Sequence, residues 1–132
     1  MEAGIEFSQL DLGRIEIAPE VIEVIAHMAT SEIDGVAGLS SGIVGDLVER
    51  LGRKTGRGVR VDVKDKEAAI DLYIIVEFGQ QIPDVAQKVQ DNVRDSIQNM
   101  TGLIVTQVNV HIVDVHLKQE KKALSEEAHR VR

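Results

Sequence analysis

The chain has 132 residues, a length that suits one domain, and it contains no cysteine. The absence of cysteine excludes disulfides, thiolate metal sites and a cysteine nucleophile. A formal net charge of -7 repels nucleic acid and anionic lipid at long range, and one tyrosine, two phenylalanines and no tryptophan leave little for base stacking.

The N-terminal part of the chain predicts a short strand followed by an amphipathic helix. Residues 1–12 show no sustained period, and we expect a flexible N-terminus there. Ile15 and Ile17 alternate with charged residues, as in a strand, and Pro19 stands where a first helical residue would be. We expect Gly35 to cap the helix. The apolar stripe of this helix comprises Val21, Ile22, Ile25, Met28, Ala29 and Ile33.

A small-residue segment and a basic loop follow. Residues 36–42 predict a short strand that runs into a loop, and residues 44–51 repeat the helical step over about two turns. The glycine-rich stretch GRKTGRGVR at 52–60 concentrates cations in an acidic chain. We interpret it as a candidate binding loop for an anion or an acidic partner, with a solvated loop as the simpler alternative. The cations are Arg53, Lys54, Arg57 and Arg60.

The second half of the chain predicts a hairpin, a helix and a last strand. Apolar and polar residues alternate over 59–64 and 70–78, and the short turn between them indicates an antiparallel hairpin. A helical apolar stripe runs over 82–100. The last strand covers about 104–117, and its apolar side changes at Val113, which predicts either a bulge or a strand end that contacts a different surface.

This order of elements predicts an α+β fold. We expect a two-layer sandwich in which two main helices cover one face of a mostly antiparallel sheet of three to four strands. The domain would span 13–117, and residues 118–132 would form a charged C-terminal tail. The other sheet face is predicted to be polar and to meet solvent or a second copy of the chain. Its residues are Asp62, Lys64, Asp71, Tyr73, Glu77, Gln107, Asn109 and His111.

No constellation of residues indicates an enzyme. His27 lies beside the apolar stripe of the first helix and is interpreted as a boundary histidine. His111 and His116 stand five residues apart, on opposite faces of a regular strand unless a bulge intervenes, and no HxH or HExxH spacing supports a metal site. No Ser-His-Asp order or phosphate-loop spacing is legible. We therefore expect no catalytic residue, no cofactor and no metal.

The segment GIVG at 42–45 allows an alternative function, RNA binding. It has the GxxG form of a KH-type loop, and a small α+β domain suits that comparison. Its central residues Ile43 and Val44 are apolar, whereas such a loop usually presents a cation to the nucleic-acid backbone. Nucleic acid is therefore an unfavoured partner.

Several segments resemble the alkaline shock, or envelope stress response, protein family of bacteria. The resemblance covers about 13–117 and rests on the order and spacing of GRIEIAPEVI at Gly13–Ile22, GVAGL at Gly35–Leu39, Phe78-Gly79, and IPDVAQKVQ at Ile82–Gln90. It implies a non-enzymatic protein that acts through protein–protein contacts in cell-envelope homeostasis. We expect a cytoplasmic protein that reaches the membrane through a partner, and we also consider a homo-oligomer.

The segments APEVIEVIA and LGRK, at 18–26 and 51–54, look closest to the branch of that family tied to fatty-acid synthesis. That branch is implicated in restraining acetyl-CoA carboxylase. The resemblance therefore implies an alternative function as a negative regulator of that enzyme, which would be the partner. The family brings no catalytic residues that could be carried over to this chain.

Overall fold

The computed structural model of the protein describes residues 5–6, 12–40 and 58–117. The predicted helical segment at 44–51, the GIVG segment and the charged tail at 118–132 lie outside the described residues. In chain order the elements are β1 (Ile5–Glu6), β2 (Glu16–Ile17), α1 (Pro19–Ser31), β3 (Val36–Leu39), β4 (Val59–Lys64), β5 (Glu67–Glu77), α2 (Ile82–Thr101) and β6 (Ile104–His116).

Four of these strands form one sheet organised around β5. β4 pairs antiparallel with residues 67–72 of β5, and β3 pairs antiparallel with residues 74–76. β3 and β4 therefore lie end to end along one edge of β5. β6 runs parallel to β5 along the opposite edge. A second, two-stranded pairing joins β1 to β2.

The predicted α+β sandwich is confirmed, including the hairpin between β4 and β5. The turn residues Asp65 and Lys66 have φ values of 53° and 65°, and positive φ at both positions is what a tight type I′ hairpin turn requires. The one parallel pair among the described strands of this sheet is β5 with β6. It arises because α2 carries the chain back to the end of the sheet where β5 begins.

The bulge predicted near Val113 is present in β6. The pairing with β5 passes from Ile112 directly to Asp114, so Val113 is an extra residue, and a similar shift occurs at Thr106. An extra residue reverses the side of the sheet on which the following side chains lie. His116 therefore shares a face with His111, although the two are five residues apart.

The hydrophobic core lies between the helices and one face of the sheet. Every second residue of β5 from Ala68 to Val76 is buried, and the helices cover this side. The helices contribute four apolar residues each, which are Ile22, Ile25, Ala26 and Ala29 from α1 and Val85, Val89, Val93 and Ile97 from α2. At about 25 cal/mol per Å² of apolar surface removed from water, this burial is the main force that holds the two layers together.

The stripe predicted for α1 is wrong at two positions. Val21 and Met28 are 44% and 60% exposed, whereas Ala26 and Thr30 are buried. Thr30 can be buried because its Oγ1 donates a hydrogen bond to the Ala26 carbonyl oxygen at 2.8 Å. The apolar residues of this helix fall on two adjacent faces, and the face with Ile22, Ile25 and Ala29 is the one that packs.

The capping role predicted for Gly35 is also wrong, because α1 ends at Ser31 and Glu32 occupies the capping position with helical dihedrals. Gly35 lies in the turn into β3 with a φ of 100°. A Cβ atom at this position would be 2.8 Å from Val85 Cγ2. Gly35 is thus required by its backbone conformation and by the close approach of α2.

Candidate functional site

The sheet face opposite α1 and α2, here called the open face, carries the polar residues predicted for it. Asp71 and Tyr73 of β5 are half-buried, and the neighbouring side chains of β6 are exposed. The pairing places Arg60, Asp71 and Asn109 in one row across three strands, and it places His111 beside Tyr73 in the next row.

Tyr73 and His111 form a stacked pair at the centre of this face. Their ring centroids are 4.7 Å apart, and the ring planes differ by 11°. Each ring limits the rotation of the other, and the pair carries three polar atoms, Tyr73 Oη and the two imidazole nitrogens of His111. His111 Nε2 also lies 3.4 Å from Asp71 Oδ1, which fixes the imidazole from a second side.

Hydrogen bonds connect this pair to the next row of the open face. Asn109 Nδ2 donates to Asp71 Oδ1 at 3.1 Å and to Gln107 Oε1 at 3.2 Å. The amide thus bridges two acceptors on neighbouring strands, and Asp71 Oδ1 is shared by Asn109 and His111. The result is a pre-positioned group of polar side chains that can still offer free lone pairs and protons to a partner.

The candidate basic loop is only partly described. Arg60 is exposed on β4 and lies opposite Asp71, on the open face, whereas Arg53, Lys54 and Arg57 lie outside the described residues. The backbone on both sides of residues 41–57 is described. Ser40 N donates to the Tyr73 carbonyl oxygen at 2.8 Å, and Tyr73 N donates to the Gly58 carbonyl oxygen at 3.0 Å. The chain therefore leaves and re-enters the sheet beside Tyr73.

The histidines do not form a metal site in the described part of the chain. His111 and His116 share the open face, but they pair with Tyr73 and Glu77, four residues apart on β5. At about 3.3 Å per residue this separation is roughly 13 Å, too far for one ion. Across residues 5–6, 12–40 and 58–117, no group of three or more His, Asp or Glu residues could hold a metal ion.

His27 is half-buried on α1, as its interpretation as a boundary histidine requires.

An open groove between α2 and the start of β6 is lined partly by Gln90, Arg94 and Thr106. The guanidinium of Arg94 is already held by carboxylates, since it lies 3.2 Å from Asp95 Oδ1 and 3.7 Å from Asp91 Oδ1. This arrangement is typical of a solvated helix surface.

An apolar row on the outer side of α1 was missed by the sequence reasoning. Val21, Val24 and Met28 are 44%, 39% and 60% exposed, and their spacing places them on one side of the helix. Phe78, at the end of β5, is also 72% exposed. The spacing that predicts a buried stripe is also the spacing of this exposed row, so the pattern does not separate the two.

No helix within the described ranges has the length and apolar character that a membrane span requires.

A family model for the alkaline shock protein 23 family, described as having a cell envelope-related function, matches residues 8–117. The protein YqhY of Bacillus subtilis (strain 168) is 46% identical over 119 residues, which are 88% of each chain. A stress response regulator gls24 homolog of Streptococcus pyogenes is 31% identical over 113 residues, which cover 84% of this chain and 63% of that relative.

The chain thus spans less than two thirds of the gls24 homolog. Among solved structures, the C-terminal domain of MamM D249N in its zinc form aligns with 75% of this chain and 88% of that chain. The identity is 11% and the TM-score 0.48. This likeness is too remote to bear on the site.

Proposed function

The chain belongs to the alkaline shock protein 23 family, which is described as cell envelope-related, and from this premise we propose that it acts in the envelope stress response by binding other proteins. In this proposal it catalyses no reaction. The stress-response part rests on the name of the Streptococcus pyogenes relative. The protein-binding part rests on the open face of the sheet.

The observation that carries the proposal is the stacked pair of Tyr73 and His111. Tyrosine is enriched among the residues that dominate binding energy at protein interfaces, because it offers a large surface at a small entropic cost. Here the neighbouring ring and Asp71 already hold the pair in place. Because the pair is already ordered, binding a partner would cost little side-chain entropy at this surface.

The charge of the open face favours a protein partner over RNA. On this face the described acidic residues outnumber the cations Arg60 and Lys64. The acidic residues are Asp62, Glu67, Asp71, Glu77 and Asp114. Because nucleic-acid affinity depends mainly on cations that neutralise phosphates, this surface supports little RNA binding. A gel shift at low salt is expected to show no retarded RNA.

The resemblance of the sequence to alkaline shock proteins supports a cytoplasmic location in which the protein reaches the membrane through its partner. The same resemblance supports a more specific partner, acetyl-CoA carboxylase, whose activity the protein would restrain. In that version the cations Arg53, Lys54 and Arg57 dock on an acidic surface of the enzyme. Binding should then weaken with salt and on replacing these three residues by glutamate. Binding that ignores both changes would contradict this version.

The proposed function is tested by complementation of a strain that lacks the gene. Tyr73→Ala and His111→Ala should fail to restore growth under envelope stress, although the variant proteins accumulate normally. Matched controls are Phe78→Ala and His27→Ala, which remove an aromatic ring and an imidazole away from the stacked pair. These controls should restore growth. Full complementation by the double variant Tyr73→Ala/His111→Ala would contradict the proposal.

A further inference from the structure

Over its first ten residues, β6 presents an outer edge that is free of permanently charged side chains. No Asp, Glu, Lys, Arg, Gly or Pro occurs from Ile104 to Val113, and no other described strand pairs with this edge. β4, on the other side of the sheet, instead carries Arg60, Asp62 and Lys64. Charged side chains on an outer strand are a common device against association, and β6 lacks them over this stretch.

Side chains cover the backbone of β6 at both ends of this edge. Near its start, Gln98 Oε1 accepts a hydrogen bond from Val105 N at 3.0 Å, and Gln90 Nε2 donates to the Val108 carbonyl oxygen at 3.0 Å. Near its end, Asp114 Oδ1 accepts from Val115 N at 2.8 Å. The middle of the edge is therefore bounded by capped positions.

Between the capped groups, Val110 and Ile112 are the positions at which neither outward backbone group has a side-chain partner among the described residues. The backbone N–H and C=O groups of successive residues point alternately to the two edges of a strand. Those of Val110 and Ile112 therefore point away from β5, as those of Val108 do. No described side chain bonds to their outward N–H and C=O groups. Together they offer two donors and two acceptors in a regular segment that ends at the bulge at Val113.

We propose that this edge pairs antiparallel with the same edge of a second copy, about a two-fold axis at His111. Val110 of one copy then lies opposite Ile112 of the other, and the two exchange a pair of backbone hydrogen bonds. The symmetry repeats this exchange on the other side of the axis. The four outward backbone groups of Val110 and Ile112 in each copy are thereby satisfied, and the facing β-branched side chains pack across the pair.

A second copy fits this edge because the edge is self-complementary. A two-fold interface brings the same patch of both chains together, so any charge in it would meet its like. Residues 109–113 include no Asp, Glu, Lys or Arg, although the whole chain has a formal net charge of -7. The paired sheets would also join the two open faces into one surface. The inference does not depend on the proposed function.

Disulfide trapping tests this inference, because the chain has no cysteine of its own. The two copies of residue 111 would form a pair without backbone hydrogen bonds, with Cα atoms about 4.5 Å apart, within reach of a disulfide. His111→Cys should therefore convert to a covalent dimer under mild oxidation. The control Gln107→Cys lies on the same strand and face, yet its two copies would be about 26 Å apart and should stay reduced. Equal dimer formation by both variants would overturn the inference.

Light scattering gives a readout that does not need a cysteine. The native chain should have twice the mass of the 14.5 kDa monomer. Val110→Pro removes one outward N–H and should give a monomer with native circular dichroism, since proline is tolerated on an outer strand. A monomeric native chain, as expected if a foreign strand occupies the edge, would overturn the inference. A folded Val110→Pro dimer would do the same.

Discussion

Asn92 of α2 donates a hydrogen bond from Nδ2 to the carbonyl oxygen of Ala29, in the last turn of α1, at 2.8 Å. The last carbonyls of a helix have no partner within the helix. Backbone N–H groups of the following residues reach the carbonyls of Met28 and Thr30, and Asn92 reaches the one between them. The same amide nitrogen lies 3.1 Å from Glu32 Oε1. One side chain thus caps α1 and fixes its position against α2.

Removing this cap should destabilise the protein. Asn92→Ala leaves a partly buried carbonyl without a donor, and we expect a loss of about 1 kcal/mol in the free energy of unfolding. The matched control is Asn99→Ala, which removes an exposed asparagine from the same helix. Urea denaturation of both variants measures the difference. Equal midpoints for the two variants would show that the Asn92 bond contributes nothing.

Three glycine-to-alanine changes separate backbone strain from steric conflict. Gly35 has a positive φ and a Cβ position 2.8 Å from Val85, Gly79 has a positive φ of 96° in open space, and Gly38 has neither constraint. We expect Gly35→Ala to cost about 2 kcal/mol or more, and Gly79→Ala about 1 kcal/mol. Gly38→Ala should be close to neutral. A thermal melt of each variant checks this order, and a Gly38→Ala variant as unstable as Gly35→Ala would contradict it.

The orientation of α1 can be tested with two neighbouring residues. Ile25 is 7% exposed and belongs to the core, whereas Val24 is 39% exposed. Ile25→Ala should therefore cost about 2 to 4 kcal/mol of stability, because it leaves a cavity between the layers. Val24→Ala should change stability by less than about 0.5 kcal/mol. The reverse order of denaturation midpoints would mean that the helix is rotated on the sheet.

The sequence was sufficient to predict the layers of the fold, because the alternation of apolar and polar residues in β4, β5 and β6 specifies which side of each strand is apolar. The bulge at Val113 was legible for the same reason, since it shifts that alternation by one residue. The parallel pairing of β6 with β5 could not be predicted, because apolar and polar residues alternate in the same way in parallel and antiparallel strands.

The candidate site was predicted as a set of positions on one face, but not as a geometry. Tyr73 and His111 are 38 residues apart in sequence, and only the register of β6 on β5 decides that their rings meet. The exposed row on α1 was missed because a helix with apolar residues on two faces does not reveal which one packs. The roles of Arg53, Lys54 and Arg57 remain predictions.

The measurement that tests the central claim most directly is photo-crosslinking in cells from the open face. A photoreactive residue at Gln107, on the open face about 13 Å from the stacked pair along β6, should give an adduct with another protein, identified by its mass. Tyr73→Ala in the same chain should abolish that adduct. The same photoreactive residue at Asn99, on the helix layer, should not form it. Identical adducts from both positions, or an adduct at Gln107 that survives Tyr73→Ala, would contradict the account.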